Sequence, residues 1–171
     1  MEDEVVMTAV RAKDLALQSK LLEKIKETGV SIKIEKTRVK LSCDNAFRAM
    51  LAKNAVTAFN RGFDSSISSL LLDDSYDISV LNVNDYSRSK KRQKELKGRV
   101  IGSRGMIKKR IMKETACFIK IQGKTISIVG HVENIGIAHG AVEMILNGAK
   151  HDSVFVSINK KKLEAYQNGN S

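Results

Sequence analysis

The chain has 171 residues, 42% of them hydrophobic and 29% charged, with a net charge of +11 and a pI of about 9.7. That hydrophobic share predicts a packed core and excludes wholesale disorder, and no apolar run approaches the roughly 18 residues of a membrane span. Two cysteines exclude a disulfide framework, so Cys43 and Cys117 are expected as buried free thiols of a cytoplasmic protein; the acidic start Met1-Glu2-Asp3-Glu4 is unlike a basic secretory signal.

Taken in chain order, residues 4–10 read as a strand and 12–28 as a helix. Residues 30–35 and 37–42 alternate as two strands, 44–60 form a helix, and 65–72 form a short one. The alternation then resumes in Asp77-Ile78-Ser79-Val80-Leu81-Asn82-Val83. Residues 88–101 are helical, polar early and apolar late, and Gly102-Ser103-Arg104-Gly105 is a tight turn. A second helix over 106–115 carries Ile107, Ile111 and Met112 at helical spacing. Two short strands, 118–121 and 125–129, flank the hairpin signal Gln122-Gly123-Lys124. A helix over 132–147 turns Val132, Ile135, Ala138, Val142 and Ile145 to the core, and 153–166 form a last helix.

The chain repeats itself. Residues 26–34 (KETGVSIKI) and 113–121 (KETACFIKI) share six of nine positions at an offset of 87. Val39 and Leu41 correspond to Ile126 and Ile128, and Ala55-Val56 to Ala141-Val142 after a one-residue slip. An internal duplication is the economical reading. It predicts an α+β protein of two tandem domains, 1–72 and 73–171, each β-α-α-β-β-α. Charge separates the copies. Residues 1–87 carry 12 Lys/Arg and 13 Asp/Glu, whereas 88–171 carry 18 and 6. Within 88–113 twelve Lys/Arg face one acid, Glu95. Most charge runs are solvated helix faces. Most of its cations lack the acidic neighbours at i±4 that such a face uses, and so it points to a polyanion.

The glycine turn gives that polyanion a seat. With no Cβ at Gly102 and Gly105, a phosphodiester can approach the backbone closely. The helix that follows presents free N–H groups and its positive end. Ser103 and Arg104 occupy the tip, where hydroxyl and guanidinium reach phosphate oxygens. Lys108, Lys109 and Arg110 are expected to steer the strand, with Arg99, Lys120 and Lys124 adding to the basic rim. Ile101, Met106, Ile107, Ile119 and Ile121 are expected to form an apolar groove floor, and Gln122 to read a base edge. The isoleucines and methionines also serve the core in this reading.

The run Val100-Ile101-Gly102-Ser103-Arg104-Gly105, followed by the helix from Met106 and two strands, resembles a type I KH domain. That implies a module clamping about four nucleotides of a single strand. Leu96–Gly102, Gly123–Gly130, His151-Asp152-Ser153-Val154 and Asn60-Arg61-Gly62-Phe63 further resemble the partner-of-Nob-one (Dim-two) family in its short, archaeal form. The resemblance implies a non-enzymatic factor of small-subunit ribosome maturation. It would bind near the 3′ end of 16S-type rRNA in the pre-30S particle, beside the Nob-one endonuclease and the alpha subunit of initiation factor two. The first copy departs from the pattern. The 87-residue offset places Leu15-Ala16-Leu17-Gln18 where the glycine turn belongs, and no glycine precedes Gly29. That copy is expected to pack or to dock protein. Alternatives within the class are a Krr-type or exosome-associated KH protein; outside it, an adaptor whose basic face meets an acidic protein.

Rival chemistries fit poorly. Gly123-Lys124-Thr125 ends like a Walker A motif, but Phe118 stands where its first glycine belongs, and the tripeptide sits in a hairpin. Gly98, Gly102 and Gly105 miss the dinucleotide spacing. His131, His139 and His151 have no ligand-spaced partners, so no metal or cofactor is expected. Asp73, Asp74 and Asp77 read as an acidic turn rather than a Mg²⁺ site. Lys160-Lys161-Lys162 either adds phosphate contacts or keeps a helical tail soluble.

Overall fold

A computed structural model describes residues 3–8, 19–35 and 38–169. By its internal packing the chain divides into two units, Met1–Ile78 and Ser79–Ser171. The boundary falls inside a strand, later than the join expected at 72/73.

The first unit runs β1 (Asp3–Thr8), α1 (Ser19–Glu27), β2 (Ser31–Glu35), β3 (Arg38–Cys43), α2 (Ala46–Asn60) and α3 (Ser65–Leu70). Its sheet has the order β1-β3-β2, and both pairings are antiparallel. The central strand shows why the alternation is readable: Val39, Leu41 and Cys43 are buried at every second position. Helix α2 starts where Asn45 Oδ1 accepts the N–H groups of Phe47 and Arg48, at 2.9 and 3.1 Å, a cap worth about 1 kcal/mol. Asp64 caps α3 in the same manner, accepting from Ile67 N at 2.9 Å. Residues 12–18 of the expected first helix, with the Leu15–Gln18 segment, lie outside the described residues.

The second unit runs β4 (Tyr76–Asn82), α4 (Lys90–Ile101), α5 (Met106–Thr115), β5 (Phe118–Gln122), β6 (Thr125–His131), α6 (Val132–Leu146) and α7 (His151–Gly169). The sheet order β4-β6-β5 repeats the first unit's, with β6 central and β5 at one edge. β5 and β6 are antiparallel from Phe118↔Val129 to Gln122↔Thr125, joined by Gly123-Lys124. One core joins the sheet to the helices through Leu96, Val100, Ile111, Ile126, Ile128, Val142 and Ile145. The duplication extends to backbone conformation. Gly62 and Gly148 follow α2 and α6 at φ 91° and 97°, and Gly29 and Ala116 follow α1 and α5 at φ 81° and 52°.

The last helix differs from a solvated tail. It starts at His151, and Val154, Phe155 and Ile158 are buried in the unit's core; residues 159–167 are exposed. Among the described residues no helix is long and apolar enough to cross a membrane.

Candidate nucleic-acid interface

The turn between α4 and α5 is built from its backbone outward. Helix α4 ends at Ile101, and the Gly102 N–H still donates to the Gly98 carbonyl at 2.8 Å. Gly102 then takes φ 70°, ψ 174°, which breaks the helix. One 3-10 turn over 103–105 follows, closed by Gly105 N–H donating to Gly102 O at 3.1 Å. Arg104 at φ 51° and Gly105 at φ 76° are both left-handed. For Arg104 this costs about 1 kcal/mol and leaves its side chain exposed at the tip beside exposed Ser103. Helix α5 begins without a side-chain cap; the N–H of its first residue, Met106, donates to the Ser103 carbonyl, and the positive end of the helix lies at the turn.

Around the turn the expected residues separate into two sets. Met106 is 63% exposed and Ile101 38% exposed, giving the groove apolar surface next to the tip. Ile107 and Ile121 are half-buried against the core. Lys109 is exposed and runs past Gly105, its Cε 4.0 Å from where a Cβ would stand. Lys108 is half-buried; Lys124 is exposed in the β5–β6 turn.

Five expected residues are placed elsewhere. Arg99 donates from Nη1 to Ile145 O at 2.9 Å and from Nη2 to Ala149 O at 2.5 Å, so it holds the end of α6 rather than a phosphate. Arg110 stacks over the Phe155 ring at 3.7 Å, on the side of α5 covered by α7. Ile119 is 3% exposed and belongs to the core. The pleat sets Lys120 and Gln122 opposite to Ile119 and Ile121, whose face carries the helices. The base-edge contact expected of Gln122 therefore falls outside the groove. The edge of β5 carries other polar groups: among the described residues the strand pairs only with β6, leaving backbone donors and acceptors along its other side. A backbone contact carries no residue signature.

The other motifs resolve into structure. Lys162 pairs with Glu114 at 3.7 Å and Lys160 with Glu164 at 3.8 Å. His139 Nδ1 lies 2.7 Å from Ser79 Oγ, and His151 Nε2 lies 3.1 Å from the Arg99 carbonyl. Asp73 Oδ1 accepts from Ser75 N and Oγ, closing a turn. Among the described residues no three His, Cys, Asp or Glu side chains gather as a metal site.

Comparison with known proteins agrees with this geometry. A KH domain-containing protein of Methanocaldococcus jannaschii is 36% identical over 111 residues, which cover 65% of this chain and 49% of that protein. The chain thus spans about half the length of the curated relative it matches. A crystal structure of a protein of unknown function from Aeropyrum pernix superposes with a TM-score of 0.90 at 21% identity, covering 99% of this chain and 96% of that one. A chain in the a/eIF2alpha–aDim2p–rRNA complex of Pyrococcus horikoshii superposes at 0.81 with 23% identity, covering 96% of each chain. Residues 77–163, just over half the chain, match the family of the second KH domain of Pno1, a eukaryotic-type (type I) KH domain. With its two tandem KH-like units, the first lacking the glycine turn, the chain belongs to the Pno1/Dim2p family.

Proposed function

We propose that the second unit binds single-stranded RNA across the Gly102–Gly105 turn, and that the chain serves small-subunit ribosome assembly by holding the 3′ region of 16S-type rRNA. The observation that carries this is the turn itself. Two helices meet at an exposed Ser103-Arg104 tip, with the uncapped, positive end of α5 behind it and apolar surface from Ile101 and Met106 beside it. A phosphate accepts from the tip while adjacent bases stack on the apolar floor and meet the free edge of β5. Gly102, Gly105, Ser103, Arg104 and Lys109 form the phosphate side of the site; Ile101, Met106, Ile107 and Ile121 form the base side.

No covalent chemistry is required: the role is to hold and present a strand. Family membership supports a cytoplasmic setting on the pre-30S particle. The partners it suggests are the Nob-one endonuclease and the alpha subunit of initiation factor two, the latter assembled with rRNA and aDim2p in the Pyrococcus complex. The first unit has no glycine before Gly29 and a near-even charge balance, which suits packing or protein docking.

The test is fluorescence anisotropy with an oligonucleotide matching the 3′ end of small-subunit rRNA and a scrambled control. The Ser103→Asp, Arg104→Asp variant places two carboxylates beside phosphate at exposed positions. Its affinity is expected to fall at least about tenfold with an unchanged melting temperature. Unaltered affinity would remove the turn from the site.

A further inference from the structure

Helix α4 has three distinguishable sides. Leu96 and Val100 are buried and face the core. Arg99 lies on one flank, fixed against the α6–α7 corner by its bonds to the Ile145 and Ala149 carbonyls. Lys97 lies on the other flank, where its Nζ donates to the Gly123 carbonyl at 2.9 Å. That second flank therefore looks toward the β5–β6 turn. At 3.6 residues per turn, Lys90, Lys94, Lys97 and Ile101 fall on it in one row, at i, i+4, i+7 and i+11. Lys90 and Lys94 are exposed, and Ile101 ends the row at Gly102. The row is about 16 Å long at 1.5 Å per residue.

The charges in this row are uncompensated. Arg92, on a different side of α4, is paired with Glu95 at 3.2 Å. Neither Lys90 nor Lys94 makes an ion pair among the described residues. A protein partner would find little here, because lysine is depleted from interface cores and the row has no apolar residue before Ile101. A phosphodiester backbone needs only spaced cations.

Resting on the RNA-binding reading of the turn, we infer that the strand held there continues along this flank of α4. The footprint of the second unit is then longer than the four nucleotides a KH groove clamps. Lys90 and Lys94 contact the additional phosphates. Lys97 borders the same path, with its ammonium held at the Gly123 carbonyl.

The experiment uses the full chain, uridine strands of four and ten nucleotides, and the K90E/K94E variant, read by anisotropy across a salt titration. Both substitutions lie in the first turns of α4, where acidic residues favour the helix, so the fold is retained; circular dichroism checks this. The ten-nucleotide strand is expected to bind the variant about tenfold more weakly, and its slope of log affinity against log salt to fall by about 1.4, while the four-nucleotide strand changes less than about twofold. An equal loss on both strands would reduce the row to long-range steering and overturn the inference. So would a ten-nucleotide strand indifferent to the variant. Failure of the wild-type chain to bind the four-nucleotide strand would instead overturn the reading of the turn.

Discussion

At the residue scale, the two glycines of the turn are not equivalent. Both adopt positive φ, so any side chain there costs about 1–2 kcal/mol. At Gly102 a Cβ would also stand 2.8 Å from Ile107 Cβ and 3.0 Å from Ile107 N, against the start of α5. At Gly105 the nearest group beyond the chain neighbours is the flexible end of Lys109 at 4.0 Å. Gly105→Ala is therefore expected to cost about 1–2 kcal/mol and to keep the fold. Gly102→Ala adds overpacking and is expected to cost about 2–4 kcal/mol, with α5 displaced and RNA affinity reduced along with it. Urea denaturation of the two variants compares them directly. Equal costs would mean that backbone strain, not the close approach to Ile107, is what Gly102 relieves.

At the element scale, the end of α4 is clasped from behind. The Arg99 guanidinium bridges two carbonyls, at the end of α6 and in the linker to α7, and His151 at the start of α7 meets the Arg99 carbonyl in return. A lysine cannot reproduce the fork. Arg99→Lys is expected to lower stability by about 1–3 kcal/mol in thermal denaturation, and a variant as stable as the wild type would discount the clasp. This clasp marks the limit of what the sequence makes legible. Local pattern suffices for α5, expected over 106–115 and found there, because Gly105 and the left-handed Ala116 bound a helix with buried Ile111 and Thr115. The glycine turn is legible for the same reason. The destinations of Arg99 and Arg110 are not. Their partners lie about 45 to 50 residues away in sequence, and a long cation reads alike whether it seeks phosphate, a helix end or an aromatic ring. Lys120 and Gln122 are misplaced by the sequence reading because strand composition does not say which face the helices cover. The pleat alone separates them from Ile119 and Ile121.

At the scale of the whole molecule, the two units share a chain fold and differ in electrostatics. In the first unit cations are interleaved with acids. Lys33 and Glu35 pair at 3.2 Å, and the hydrogen bond and charge of Lys33 hold the Glu35 carboxyl below the usual carboxylate range. Such exposed pairs add little stability but cancel the field a polyanion would feel. In the second unit the segment 88–113 has twelve cations and one acid, so its field is uncancelled near the turn. If binding is local to that field, cations of the first unit should not enter the counterion balance. Charge reversal of the exposed Lys26 and Lys53 is expected to leave the salt slope of RNA affinity unchanged within about 0.3, whereas reversal of Arg104 or Lys109 lowers it by about 0.7 for each phosphate no longer neutralised. Equal reductions from both units would show that the strand responds to net charge alone, and that duplication had not divided the labour between a neutral copy and a basic one.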